Sequence, residues 1–368
     1  KDYIYLDNSA TTPLKPQVME AMEEASLVFG NPSSQHALGR KAHALIEDAR
    51  RSLGEVMGYD PKGLIFTSGA TESDNLAIRS LAKRARKEGR NHLITSMTEH
   101  PAVYETFKHL AQEGFDVTFL DPQEKGAVSA QQLAKALRDD TGLVSLMQVN
   151  NETGAITELE DIVDLLQGRD IFFHTDAVQG FGKLPLAKGL DAITITAHKL
   201  GGPKGVGALW MKTAPQALIY GGHQERDARP GTENTMGIVG FAKAAALASE
   251  ATDLARLEEQ RKLILEALNE AGINYHINEG EKTYPAILNL WFPNHRAMQL
   301  LIRLDLQGIC VSAGSACSAG SLEPSRILQS LRPGTAAGEE SLRISFTSET
   351  SDEELLSFVK TLAQIMKG

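Results

Sequence analysis

Lys199 sits in "TITAHKLGGPKG", behind a β-branched run and ahead of a glycine-rich turn. An amine at the end of a strand loses proton affinity through desolvation and neighbouring cations, which favours an imine with a carbonyl compound; the alternative is a solvated loop lysine. Asp176 lies 23 residues earlier in "FFHTDAVQG", also after an apolar run, with Gln179 close behind. A carboxylate there would stabilise a protonated ring nitrogen, and Gln179 could donate to a ring oxygen; otherwise Asp176 is a turn or cap residue. The stretch "FTSGATESDNLAI" sets Ser68, Gly69, Ala70 and Thr71 between a strand and a helix. Open amides and the Thr71 hydroxyl could cradle a phosphate there, unless Thr71 or Ser68 merely caps the helix.

An anion site, an acid for a pyridinium nitrogen and an amine for an aldehyde are together what pyridoxal phosphate requires. Two further groups could serve it. His100 in "MTEHPAV" could stack on the ring and carry protons near neutral pH, or be structural. Asn151 in "VNNETGAI" could donate to the ring oxygen or to substrate, or form a turn with Asn150. Cys317, in "SAGSACSAGSLEPS", lies among residues too small to shield it from water, whereas most unpaired cysteines are buried. Such a loop would let it travel between a buried substrate and an external acceptor. Cys310, flanked by apolar residues in "LQGICVSA", reads as core.

These groups need strand ends to hold them. β-Branched runs at 63–68, 91–96, 116–120, 142–149, 170–176 and 190–196 alternate with helical patterns such as "TESDNLAIRSLAKRARKEG" and "LEDIVDLLQG". The alternation predicts a largely parallel α/β sheet covered by helices, with ligands at the carboxyl ends of its strands. After a long helical pattern at 253–272 the character changes to "AILNLWF", "ICVSA" and "SLRISF", a smaller α+β unit. "SLEPSRIL" predicts a helix start with Pro324 near its first turn.

The totals narrow the classes. A chain of 368 residues with 42% hydrophobic content predicts two domains. With 37 basic and 47 acidic residues the formal charge is -10, which gives no global attraction to nucleic acid or anionic lipid. The N-terminal stretch shows no signal-peptide pattern and no apolar run reaches membrane-spanning length, so the expectation is a cytoplasmic protein. Two cysteines are too few for a disulfide framework and lack zinc-site spacing, so no metal centre is expected and both are read as reduced.

The segments "YLDNSATTP", "NPSSQHALGR", "TSGATESDNLAI", "TEHPAV", "VNNETGAI", "HTDAVQGFGK", "AHKLGGPKGVGAL", "RPGTEN", "SAGSACSAGSLEPSRIL" and "SLRISF" resemble, in order and over essentially the whole chain, the cysteine desulfurases of the NifS and IscS type. These are class-V enzymes of aminotransferase fold type I. The resemblance implies a seven-stranded, mostly parallel sheet in a large pyridoxal-phosphate domain, 16–255, and a small α+β domain formed by 1–15 and 256–368.

It implies that Lys199 carries the cofactor as an imine, His100 stacks on it, Asp176 pairs with its ring nitrogen, and Gln179 and Asn151 approach its ring oxygen. It gives Ala70, Thr71, Thr196 and His198 to the phosphate, with threonine at 196 where the family usually has serine. Thr232 would reach the phosphate of a partner subunit in a homodimer, and Arg343, otherwise a surface arginine, would hold the substrate carboxylate with Asn151 nearby.

The implied reaction takes L-cysteine to alanine while the Cys317 thiolate receives the sulfur as a persulfide, with Lys199 and His100 moving protons. An acceptor protein such as an iron–sulfur scaffold or a tRNA-thiolation protein would then take the sulfur. The rival readings are a selenocysteine lyase or cysteine C–S lyase of the same fold, an aminotransferase, and a catalytically silent sulfur carrier.

Overall fold

The computed structural model describes residues 3–313 and 324–367. Cys317 lies outside the described residues, and with it the expectation of a travelling thiol loop.

The first strand, β1 (Ile4–Tyr5), pairs parallel to β11 (Ile309–Cys310), so the chain's beginning is tied to its last third. The principal sheet comprises β2 (Leu64–Thr67), β3 (His92–Ser96), β4 (Asp116–Leu120), β5 (Thr141–Ser145), β6 (Phe172–Asp176), β7 (Ala192–Thr196) and β8 (Gly207–Met211). Its order is β2-β8-β7-β6-β5-β3-β4. Pairings from β4 across to β7 are parallel, while β8 runs antiparallel to both β7 and β2.

All six runs read between 63 and 196 form strands; β8, from "GALWM", is a seventh outside those runs. The run at 142–149 keeps strand form only to Ser145, after which the backbone still leans on β6, with Gln148 N–H donating to Asp176 O at 2.9 Å.

Alternation of side chains decides what covers each face. Ile65, Leu93, Leu143 and Leu209 are buried with Leu76, Leu81 and Phe107 of α3 (Ala70–Lys87) and α4 (Pro101–Gln112). Their neighbours Phe66, Ile94, Val144 and Phe173 belong to a second cluster on the opposite face. It also holds Val18 of α1 (Pro16–Ser26), Ile46 of α2 (Ala37–Met57), Leu133 of α5 (Ala130–Ala136), Ile162 of α6 (Leu159–Leu166) and Phe241 of α7 (Thr235–Ala251).

A third cluster, with Ile264, Leu290, Phe292, Ile344 and Phe358, surrounds a small antiparallel sheet of β9 (His276–Ile277), β10 (Ile287–Trp291) and β12 (Ser341–Ser345). Helices α8 (Leu254–Glu270), α9 (Ala297–Leu306) and α12 (Asp352–Lys367) pack there.

Two short helices, α10 (Arg326–Leu331) and α11 (Ala337–Glu340), complete the chain. The helix start read in "SLEPSRIL" is α10: Ser325 caps it, its hydroxyl accepting the Leu328 N–H at 3.2 Å, and Pro324 stands one residue before the cap. Cys310 is half-buried on β11, where the sequence suggested full enclosure, because β11 has only β1 beside it. Among the described residues no helix is long and apolar enough to cross a membrane.

Candidate active site

Parallel strands deliver their carboxyl ends to one edge of the sheet, and Asp176 and Thr196 are the last residues of β6 and β7. A cavity of about 920 Å³ opens at that edge. Ala70, Thr71, His100, Asn151, Asp176, Gln179, Thr196, His198 and Lys199 all line it, although they come from segments scattered over 130 positions of the chain.

At one end of the cavity α3 starts at Gly69 without a side-chain cap. Neither Thr71 nor Ser68 caps it, so its first amides and the positive end of its dipole are left to the cavity. The approach is close: a Cβ on Gly207 of β8 would lie 2.8 Å from the Gly69 backbone, so only glycine lets β8 pass there. Thr196 and His198 stand on the same wall; His198 Nδ1 meets the Thr11 hydroxyl at 3.2 Å. Burial, then Lys199, Lys204 and Lys183, pushes His198 down to about 4 and keeps it neutral.

Asp176 lies deeper. Its Oδ1 accepts the Val178 N–H at 2.9 Å, yet burial pushes its pKa up to about 6 despite that bond and the pull of Lys199. Behind it Asp74 is wholly buried, and burial together with the Asp176 charge raises its pKa strongly. His174, hydrogen-bonded to Ser145 at 2.8 Å and Thr194 at 3.0 Å, is pushed by burial to about 3 and is neutral. Hence His174 supplies no positive charge beside the two acids, and Lys199 is the cation whose pull Asp176 feels.

Lys199 Nζ donates to the carbonyl oxygen of Ser9, and Gln179 Nε2 donates to the same oxygen at 2.8 Å. One hydrogen of the Gln179 amide is thereby used and the other remains. The Asn151 Oδ1 and Gln179 Oε1 atoms are buried without a hydrogen-bond partner. His100 begins α4, its Nδ1 accepting the Ala102 N–H at 3.1 Å. Burial, then Lys199 and Arg326, lowers it to about 4.

This donor set fits pyridoxal phosphate: an uncapped helix start for a dianion, a buried carboxyl for the ring nitrogen, and side-chain amides with unsatisfied atoms in the same cavity. The family profile described as aminotransferase class-V matches residues 4–358. The chain belongs to the class-V aminotransferases, and pyridoxal phosphate is its cofactor.

Cysteine desulfurase IscS of Shewanella piezotolerans is 40% identical over 98% of this chain and 92% of its own length. Among solved structures, a NIFS-like protein superimposes with a TM-score of 0.91 at 34% identity, covering 100% of both chains. SspA in complex with cysteine gives 0.82 at 35% identity, covering 94% of this chain and 99% of that one.

In this class-V aminotransferase two of the expected residues stand apart from the cavity. Arg343 is 3% exposed, far from a surface arginine; its Nη2 donates to Asp7 Oδ1 at 2.7 Å and its Nη1 to the Asn151 carbonyl at 3.0 Å. It therefore adjoins the site through Asn151, with its Nε buried and unpartnered. Thr232 is exposed and does not line the cavity of the single chain.

Two contributors had no role in the sequence reading. Ser9 acts through its carbonyl, which no side-chain pattern reports, although "DNSATTP" around it is one of the matching segments. Glu99, fully buried beside His100, accepts the Met147 N–H at 2.9 Å; burial raises its pKa well above the carboxylate range.

Proposed function

We propose that this chain is a cysteine desulfurase, converting L-cysteine to L-alanine and passing the sulfur to its own Cys317 as a persulfide. The reading rests on one observation above all: Lys199, Asp176 and the uncapped start of α3 meet in a single cavity. The family and the named relatives support it.

In this reading the α3 amides at Ala70 and Thr71, with Thr196 and His198, hold the phosphate, and Asp176 holds the ring nitrogen in its protonated form. Asn151 and the second Gln179 N–H approach the ring oxygen. Lys199 would hold the cofactor through its amine, and the same amine would take up the Cα proton of the substrate. Bound pyridoxal phosphate supplies an electron sink for the bond broken at Cα.

His100, neutral and carrying its proton on Nε2, hands a proton on or receives one at the departing sulfur. The Cys317 thiolate attacks that sulfur: the S–S bond forms as the C–S bond breaks, and the electron pair left on carbon is protonated to give alanine. Cysteine plus thiol thus becomes alanine plus persulfide, with no external oxidant. Arg343 orients the substrate carboxylate beside Asn151.

The proposal extends to a homodimer in which the exposed Thr232 of each chain completes the partner's phosphate site, and to a cytoplasmic setting that keeps Cys317 reduced. It also covers an acceptor protein, such as an iron–sulfur scaffold or a tRNA-thiolation protein. The division into a large domain, 16–255, and a small one, 1–15 with 256–368, belongs to the same reading; the separate apolar cluster around the small sheet supports it.

The decisive experiment incubates the holoenzyme with L-cysteine, measures alanine, and determines the mass of the Cys317 peptide. A gain of one sulfur on Cys317 with equimolar alanine is expected, and Cys317→Ala should retain the cofactor colour but form no alanine. Free sulfide with an unmodified Cys317 would instead establish a C–S lyase.

A further inference from the structure

Arg326 is the third described residue after the segment that holds Cys317, and its guanidinium leaves its own helix altogether. Nη1 donates to the carbonyl of Met97 and Nη2 to the carbonyl of Glu99 at 2.9 Å. The same group lies 3.6 Å from the centre of the Tyr104 ring. Met97 and Glu99 lead directly into His100, and Tyr104 sits in the first turns of the helix that His100 begins, its N–H donating to the His100 carbonyl at 3.0 Å. One side chain therefore grips the chain on both sides of His100.

The adjacent Ser325 makes a parallel connection. Its hydroxyl donates to Glu152 Oε2 at 2.5 Å, and Glu152 follows Asn151 of the cavity wall. On the other side of the segment Ser312 pairs with Arg343 through two backbone hydrogen bonds, Ser312 N–H to Arg343 O at 3.1 Å and Arg343 N–H to Ser312 O at 2.7 Å. The described chain flanking 314–323 is fastened at each end to a residue that adjoins Asn151 of the cavity wall, Glu152 by sequence and Arg343 by its hydrogen bond to the Asn151 carbonyl.

Holding α10 in place does not by itself call for an arginine. Ile327, Leu328 and Leu331 are already buried, and Ser330 bonds Asp121. Arg326 forms no ion pair among the described residues, so a partly buried cation has been desolvated against two peptide carbonyls and a ring face. What that arrangement uniquely provides is a fork of fixed geometry spanning two carbonyls of one turn, which lysine, with a single point of attachment, reproduces only in part.

Resting on the desulfurase reading, we propose that Arg326 is a positioning residue. It locks the 97–100 turn, and hence His100, to the point where the chain emerges from the segment carrying Cys317.

The test compares wild-type holoenzyme with Arg326→Gln and Arg326→Lys, following persulfide formation on Cys317 in a single turnover and the steady-state KM for L-cysteine. Misplacing His100 should slow sulfur transfer in Arg326→Gln by about tenfold to a hundredfold. KM should stay within about twofold of wild type, and Arg326→Lys should recover part of the rate. Independently of activity, hydrogen exchange in the cofactor-free protein should quicken by about tenfold at amides 97–102 in Arg326→Gln while other regions stay unchanged.

A wild-type rate in Arg326→Gln, or faster exchange spread evenly over the whole chain, overturns the proposal. Wild-type enzyme that makes no persulfide at all overturns the desulfurase reading instead, so the two failures are told apart.

Discussion

The Nδ1 atom of His100 accepts the backbone N–H of Ala102 at 3.1 Å, so a residue that begins a helix has its tautomer set by that role and carries its ring proton on Nε2. With burial, Lys199 and Arg326 all opposing its protonation, its pKa falls to about 4. In nitrogen-labelled NMR of the protein, His100 should remain the neutral Nε2–H form from pH 8 down to pH 5. A titration midpoint above pH 6 would contradict this placement.

Asp176 should behave oppositely in the cofactor-free and cofactor-bound protein. Its folded pKa of about 6 lies above the unfolded value of roughly 3.9. Its contribution to stability is therefore fully present below the unfolded value and lost as pH rises through 6. At pH 8 the buried charge costs on the order of 3 kcal/mol. Asp176→Asn should raise the denaturation midpoint of the cofactor-free protein at pH 8, with the gain vanishing by pH 4, and should weaken cofactor binding. Equal destabilisation at both pH values would show that burial does not disfavour the ionised carboxylate.

Thr71 lines the cavity and does not cap α3, so its hydroxyl is dispensable for the fold. Thr71→Val should leave the urea midpoint unchanged while loosening pyridoxal phosphate by about tenfold, the loss of one hydrogen bond to a charged acceptor. Equilibrium dialysis with spectroscopic detection measures the second quantity. A large fall in stability with unaltered affinity would return Thr71 to a structural part.

Arg343 joins β12 to the N-terminal segment through Asp7 and to the cavity wall through Asn151. Arg343→Gln strips a buried ion pair of its cation and should lower unfolding free energy by about 3 kcal/mol, read by urea denaturation. KM for L-cysteine should also rise, because Asn151 loses its brace. A variant as stable as the parent would mean the Asp7 contact is replaced by water.

Much of this molecule is written locally. The alternation of runs and helices predicts six strands of the principal sheet because one β-branched strand and the helix after it are each short-range patterns, and Lys199, Asp176, His100 and Thr71 are visible because each stands just past such a strand. β8 escapes the alternation because it returns antiparallel to β7 through a glycine-rich turn with no helix between, and its other neighbour, β2, is remote in sequence.

The sequence by itself determined the class of fold, the family and the set of reactive groups, since those follow from residue types and their spacing along one chain. Only the tertiary structure decided that α3 begins uncapped, that the Ser9 carbonyl gathers Lys199 and Gln179, that Arg343 is a buried brace, and that Arg326 grips the turn before His100. The last three join residues far apart in the chain through backbone carbonyls or burial, and the free energy of such contacts depends on what folding places beside them.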